Sequence, residues 1–172
     1  MHGIYAAWAI TLPVEMLTWL ATSALRQAVF GMRVLYGVLR FAHLATMAGF
    51  LGLLLAMELR GLGLLAPGAL APARPVLGRV LNACFWCAVC TGVALFLYDP
   101  LGSGLHTMFL PKLVLLALGY GFARARRGIP PRLAAWLSLA LWLLVIGAST
   151  WNRVERPVQI NAALRASSLG RL

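Results

Sequence analysis

Acidic residues are scarce in this 172-residue chain, in which four Asp or Glu side chains stand against fifteen Lys or Arg. Charged residues make up 11% of the sequence, well below the ~25% that is typical of soluble domains. So few carboxylates leave little material for general acid–base catalysis. The sequence also contains no HExxH motif, P-loop or Ser-His-Asp set. We therefore expect a protein that is not an enzyme.

Cysteines are also few, and the chain lacks a basic segment before its first apolar residues. The three cysteines are an odd number and fall within one apolar run, so they do not indicate a disulfide framework. The missing basic segment argues against a cleaved secretory signal. The net charge of +11 does not indicate nucleic-acid binding, because the arginines lie at the ends of apolar runs rather than on a polar surface with aromatic residues.

What the chain does contain is long apolar runs, and 62% of its residues are hydrophobic. Four runs approach the ~20 residues that a helix needs to cross a bilayer, at about residues 36–59, 79–98, 107–123 and 132–151. The ~10-residue alternating segments of a membrane barrel are missing. The sequence predicts an all-α fold, a polytopic membrane four-helix bundle that forms a single domain over residues 1–172.

Residues 1–32 predict an interfacial amphipathic segment before the first crossing. Its polar positions from Pro13 to Phe30 indicate one helix that lies at the membrane surface, with the proline near the first turn. A fifth crossing through residues 4–25 is the alternative, and Glu15 would then need a partner inside the membrane.

The segments between the apolar runs predict loops and a membrane orientation. Three prolines exclude a regular helix over residues 61–78, and residues 99–104 have turn chemistry. The 99–111 loop has no Lys or Arg, whereas the 124–132 turn has four. Basic short loops favour the cytoplasm, so we expect a bacterial inner-membrane protein with periplasmic termini, although four arginines in the polar tail, residues 152–172, argue the other way.

The first crossing has two contrasting faces. A stripe of small residues is suited to close helix packing and consists of Ala45, Gly49, Gly52 and Ala56. The opposite, larger face predicts contact with a partner or with the bundle interior and includes Arg40, His43, Met47 and Phe50. Lipid offers an ionisable side chain no hydrogen bond, so Arg40 and His43 are expected to face a partner, a cavity or a cofactor.

His43 is the leading candidate for a bound cofactor. Neutral imidazole is a good axial ligand for haem iron, and His106 is a weaker second candidate on the same side of the membrane. Met47 lies one helical turn after His43, and a thioether with an imidazole suits Cu(I). A histidine that is hydrogen-bonded inside the bundle is the plainer interpretation.

The remaining candidate residues are predicted to have structural roles. Three cysteines spaced three residues apart fan across a helix surface, so they indicate a packing stripe that consists of Cys84, Cys87, Ala88 and Thr91. Interfacial ion pairs are predicted at the helix ends. Lys112 is expected to pair with Asp99 or to contact headgroups. Glu58 and Arg60 are expected to pair with each other or to contact the region of Arg79. The arginines are expected to contact anionic lipids.

Four features resemble an uncharacterised family of small bacterial four-helix membrane proteins related to the copper-resistance D-type membrane domain. They are His43 followed by Gly49, the run Glu58-Leu59-Arg60-Gly61-Leu62-Gly63, Thr91-Gly92 with Phe96, and Phe109 followed by Lys112. They lie within residues 33–123. The chain departs from the family in Pro111 and in its three cysteines, and it lacks paired histidines on different crossings. The resemblance implies a bundle fold and raises the copper hypothesis.

These features predict a non-catalytic accessory subunit of a larger bacterial membrane complex, concerned with respiratory or photosynthetic electron transfer. Other membrane subunits are the expected partners, and lipid or pigment contacts are compatible with this interpretation. A b-type haem carrier and a copper-handling membrane protein are the alternatives.

Overall fold

The computed structural model describes residues 12–30, 32–66, 68 and 72–169, and these form helices and turns without a β-strand. The prediction of an all-α fold is confirmed for this part of the chain. The helices are α1 (Val14–Thr22), α2 (Ala24–Phe30), α3 (Arg33–Gly61), α4 (Arg74–Tyr98), α5 (Pro100–Gly104), α6 (Phe109–Ala125) and α7 (Pro131–Leu169).

Three of these helices are long and apolar enough to cross a membrane, namely α3, α4 and the Pro131–Trp151 part of α7. α6 has 17 residues and is about 25 Å long at 1.5 Å per residue. It is thus shorter than the ~30 Å hydrocarbon core, so the fourth crossing stays a prediction. The polar tail is helical as far as the structure describes it, since α7 continues to Leu169.

The core lies where α3, α4 and α7 meet. α3 packs along α4 and also contacts α7, while α6 packs against α7. A cluster of buried side chains fills the centre and consists of Phe50, Leu54, Phe85, Trp142 and Val145. The ring centroids of Phe50 and Trp142 are 4.6 Å apart. Gly119 of α6 lets that indole approach, because a Cβ at this glycine would lie 3.3 Å from the Trp142 ring.

Outside this small core, the helices present apolar side chains to their surroundings. Phe41 is 74% exposed, Leu143 66% and Trp136 63%, and exposed large hydrophobic side chains far outnumber the buried ones among the described residues. A soluble monomer rarely exposes an apolar patch larger than a few hundred Å². The surface is that of helices with an apolar environment on their outer sides.

The single helix predicted from Pro13 to Phe30 is instead two helices separated at Ser23. This serine has an extended backbone (φ −62°, ψ 138°). Its hydroxyl group donates to Leu20 O at 2.9 Å, and Ser23 Oγ accepts from Arg26 N at 3.4 Å. Serine side chains compete with helical hydrogen bonds in this way. The break also interrupts the alternative crossing over residues 4–25, of which residues 4–11 lie outside the described part.

α4 begins at Arg74, several residues before the predicted start of the crossing. Pro75 lies in its first turn, where no intrahelical partner is needed for the missing N–H. The prediction that residues 61–78 contain no regular helix is therefore wrong for residues 74–78, which form the first turn and a half of α4. The turn predicted over residues 99–104 contains the five-residue helix α5. The Asp99 side chain caps the start of this helix by accepting from Gly102 N at 2.9 Å.

The N-terminal helices α1 and α2 pack near the C-terminal end of α4, at Tyr98. The Arg26 guanidinium donates to Leu97 O at 3.1 Å and to Tyr98 O at 2.6 Å, so it occupies carbonyl groups that have no partner at a helix C-terminus. Leu17 of α1 is fully buried and lies against Gly104 of α5. This end of the bundle is thereby closed by α1, α2 and α5.

Candidate functional site

His43 lies inside the contact between α3 and α4 and not on the outer surface. Its Nδ1 is 3.0 Å from Ala88 O and 3.1 Å from Thr91 Oγ1. The Thr91 hydroxyl in turn donates to Cys87 O at 2.7 Å, and a carbonyl oxygen can only accept. Nδ1 is therefore the protonated nitrogen, and Nε2 keeps its lone pair. Gly92 makes room for the ring, because a Cβ there would lie 3.2 Å from His43 Cε1.

Arg40 is one turn before His43 but is exposed. No other described residue forms a hydrogen bond or an ion pair with its guanidinium. It lies about 10 Å along α3 from Arg33 at 1.5 Å per residue. The exposed face beside it is apolar and consists of Gly37, Phe41, Leu44, Ala48, Gly52 and Leu55. We call this set the outer face of α3.

The two predicted faces of the first crossing are distributed differently in the structure. Phe50, from the large face, is buried in the core. In the small-residue stripe, Gly49 contacts α4, because a Cβ built on Gly49 would lie 3.4 Å from Cys84 Sγ. Ala56 is half-buried. Ala45 and Gly52 are exposed, so close helix packing there stays a prediction for a contact with a second chain.

The cysteines do not converge. Cys84 is half-buried while Cys87 and Cys90 are exposed, and all three are free thiols. Ala88 is buried against α3, and Thr91 faces His43. Met47 is half-buried on α3. Among the described residues, no three His, Cys, Asp or Glu side chains are grouped so that they could hold a metal ion.

The predicted pairing of Glu58 with Arg60 is wrong, and so is the alternative partner in the region of Arg79. The Glu58 carboxylate is 4% exposed, and its two oxygens accept from Arg126 Nη1 at 2.8 and 3.1 Å. Residues two apart on a helix point in different directions, so Arg60 cannot share the buried face of Glu58. The observed partner is 68 residues further along the chain, in the turn between α6 and α7.

The predicted pair of Asp99 and Lys112 does not form either. Asp99 caps α5, and Lys112 Nζ lies 5.9 Å from the ring centroid of Phe109, which is the geometry of a cation–π contact. His106 is buried between α5 and α6, and its carbonyl accepts from Phe109 N at 3.1 Å. It closes the same end of the bundle as α5.

At the opposite end, two adjoining cavities open between the helices. The outer one, which we call the arginine cleft, has a volume of about 670 Å³. Its charged lining consists of Arg60, Arg74, Arg124, Arg126, Arg127 and Glu58. These side chains meet because α3 and α6 end where α4 and α7 begin. The basic loops that indicated membrane orientation were the sequence signal for this cleft, but their convergence is a property of the fold.

The inner cavity, which we call the apolar chamber, has a volume of about 260 Å³. Its lining comes chiefly from the core and includes Phe50, Leu54, Leu81, Phe85 and Trp142. The two cavities adjoin, so the chamber lies directly beneath the cleft. Five residues line both, and these are Met57, Glu58, Ala123, Arg124 and Arg126. Ligand pockets typically have volumes of ~300–1,000 Å³, and the two cavities together fall within that range.

The chain matches no protein-family model, no curated protein and no solved structure. The resemblance to the copper-resistance D-type membrane domain therefore stays a prediction that rests on four sequence features.

Proposed function

We propose that this chain is an integral membrane protein that acts as a non-catalytic accessory subunit of a larger bacterial membrane complex. The exposed apolar sides of α3, α4 and α7 support the membrane placement. In that placement α6 completes a four-helix bundle, with its short span lengthened by α5 and the turn that follows it.

The exposed Arg40 guanidinium is the observation that carries the subunit hypothesis. A charged side chain in the apolar part of a membrane helix faces a partner group as a rule, because the hydrocarbon offers it no hydrogen bond. The described chain provides no such group. The outer face of α3 supplies Gly37, Ala48 and Gly52 beside it, and small residues let a second helix approach closely. The partner is therefore a membrane subunit with a carboxylate at the depth of Arg40.

Photocrosslinking in native membranes tests this contact. Leu44 is 54% exposed one turn after Arg40, and Leu143 on α7 is 66% exposed, so a photoreactive residue at each position gives a matched pair. We expect the Leu44 position to give one crosslinked product with a membrane protein whose linked peptide carries Asp or Glu. Arg40→Gln should abolish this product, and the Leu143 position should not give it.

Exchange of charges makes the result decisive. Arg40→Glu should lose the product, and changing the carboxylate of the partner to arginine should restore it. Equal products from Leu44 and Leu143 would mean unselective contact and contradict the proposal. A product with the mass of two copies of the 18.6 kDa chain would replace the accessory subunit with a homodimer.

A b-type haem at His43 is the second candidate function, and the tautomer of this histidine favours it. Metal-ligating histidines usually donate their other ring N–H to a carbonyl or carboxylate, as Nδ1 does to Ala88 O. If haem binds, the chain purified from its native membrane shows a reducible Soret band, and His43→Ala removes it while Met47→Leu does not. If the Soret band is missing, or unchanged in His43→Ala, Nε2 is not an iron ligand.

A further inference from the structure

The arginine cleft carries positive charge that the protein itself does not neutralise. Arg126 is paired with Glu58, and Arg124 donates to Tyr120 Oη at 2.6 Å and to Asn82 Oδ1 at 3.3 Å. The other three arginines of the cleft have no side-chain hydrogen bond to a described residue, and these are Arg60, Arg74 and Arg127. Guanidinium groups bind the oxygens of a phosphate well, so a cleft lined by these three arginines favours an anionic ligand.

The apolar chamber favours an apolar group, whereas the cleft favours an anion. It reaches from Glu58 to Phe50, a distance of about 12 Å along α3. Its lining is aliphatic and aromatic towards Phe50, while the polar side chains Glu58, Asn82, Arg124 and Arg126 line it next to the cleft. Trp142 is 3% exposed, and its indole N–H has no hydrogen-bond partner among the described residues. The nitrogen itself has almost no accessible surface, so Trp142 presents ring carbons to the chamber.

We propose that the arginine cleft and the apolar chamber together bind one anionic phospholipid. The phosphodiester lies among Arg60, Arg74 and Arg127, and one acyl chain enters the chamber below Glu58. A free phosphate would satisfy the cleft and leave the chamber unused. The inference rests on the proposed membrane placement but not on the partner contact at Arg40.

Native mass spectrometry of the full chain, delipidated in a neutral detergent, tests the headgroup. We expect phosphatidylglycerol to bind more tightly than phosphatidylcholine with the same acyl chains, and much more tightly than inorganic phosphate. Arg60→Gln and Arg74→Gln should each weaken the binding of phosphatidylglycerol about fivefold, as expected for one basic residue near an anionic headgroup. Arg79→Gln is the control, because Arg79 is an exposed arginine of α4 that does not line the cleft.

A pair of glycine variants tests the chamber. Gly78 lines the chamber, and a Cβ at this position has no atom within 4 Å, so Gly78→Leu is expected to place its side chain in the space of the chamber. It should weaken the binding of long-chain phosphatidylglycerol and leave the binding of water-soluble glycerophosphoglycerol unchanged. Gly147 of α7 has the same free space, is exposed and lines neither cavity, and Gly147→Leu should change neither.

Three results would overturn the lipid site. They are equal affinity for the two phospholipids, an equal loss with Arg79→Gln, and inorganic phosphate binding as tightly as the lipid. Any of these results, obtained while the chain fractionates with membranes, leaves the proposed subunit function intact. Recovery of the chain in the soluble fraction would instead remove the membrane placement on which both proposals depend.

Discussion

Arg126→Leu is expected to lower the free energy of unfolding by about 3 kcal/mol, because it leaves the Glu58 carboxylate without a partner. Removing one member of a buried ion pair typically costs ~3–5 kcal/mol, since the remaining charge keeps its desolvation penalty. We expect the lower end of that range, as the Arg126 side chain is 31% exposed and water reaches it. Unfolding by SDS in mixed micelles, followed by far-UV circular dichroism, measures the loss.

Two further variants show whether the pairing itself is responsible. Arg127→Leu removes the neighbouring arginine, which is exposed, and should change the free energy of unfolding by less than about 0.5 kcal/mol, as is usual for surface sites. The double variant Glu58→Leu/Arg126→Leu has no buried charge left and should recover most of the loss. If Arg126→Leu and Arg127→Leu behave alike, the ion pair does not stabilise the junction of α3 with the α6–α7 turn.

This ion pair marks the limit of what the sequence could predict. Glu58 at the end of an apolar run predicted a paired carboxylate, but one helix offers no information about a partner 68 residues away. The number of basic residues in the 124–132 turn was readable, and so was its place on the same side as Arg60. Which arginine enters the buried face of α3 depends on how α6 and α7 pack, and hydropathy does not determine that.

The faces of α3 illustrate the same limit. Helical periodicity correctly grouped His43 and Phe50 on one side, because residues at such spacing share a face. It did not show that α4 covers this side, since the hydropathy of α4 does not tell which helix Ala88 and Thr91 contact. Ser23 was visible as a polar position, yet the break it makes depends on its own hydroxyl and on Arg26 reaching the end of α4.

Trp142 is expected to be the most costly side chain to remove from the core. Its indole lies 4.6 Å from the Phe50 ring and 6.2 Å from the Phe85 ring, and it lies against Gly119. A large-to-small change at such a site typically costs ~3–5 kcal/mol. In a membrane, transfer of the side chain into lipid contributes little to this cost. What remains is the dispersion energy lost around a cavity, so we expect about 3 kcal/mol for Trp142→Ala.

Trp136→Ala is the control that shows how much the free energy of unfolding changes when a tryptophan is removed without leaving a cavity. Trp136 lies on the same helix and is 63% exposed, so its removal leaves no cavity, and a change below about 0.5 kcal/mol is expected. Trp142→Phe keeps most of the ring contact and removes the indole N–H that has no partner, so it should cost much less than Trp142→Ala. Equal losses at the two tryptophans would show that α7 is not held by its buried face. Because Trp142 contacts α3, α4 and α6, the difference between Trp142→Ala and Trp136→Ala measures how firmly α7 packs against these three helices.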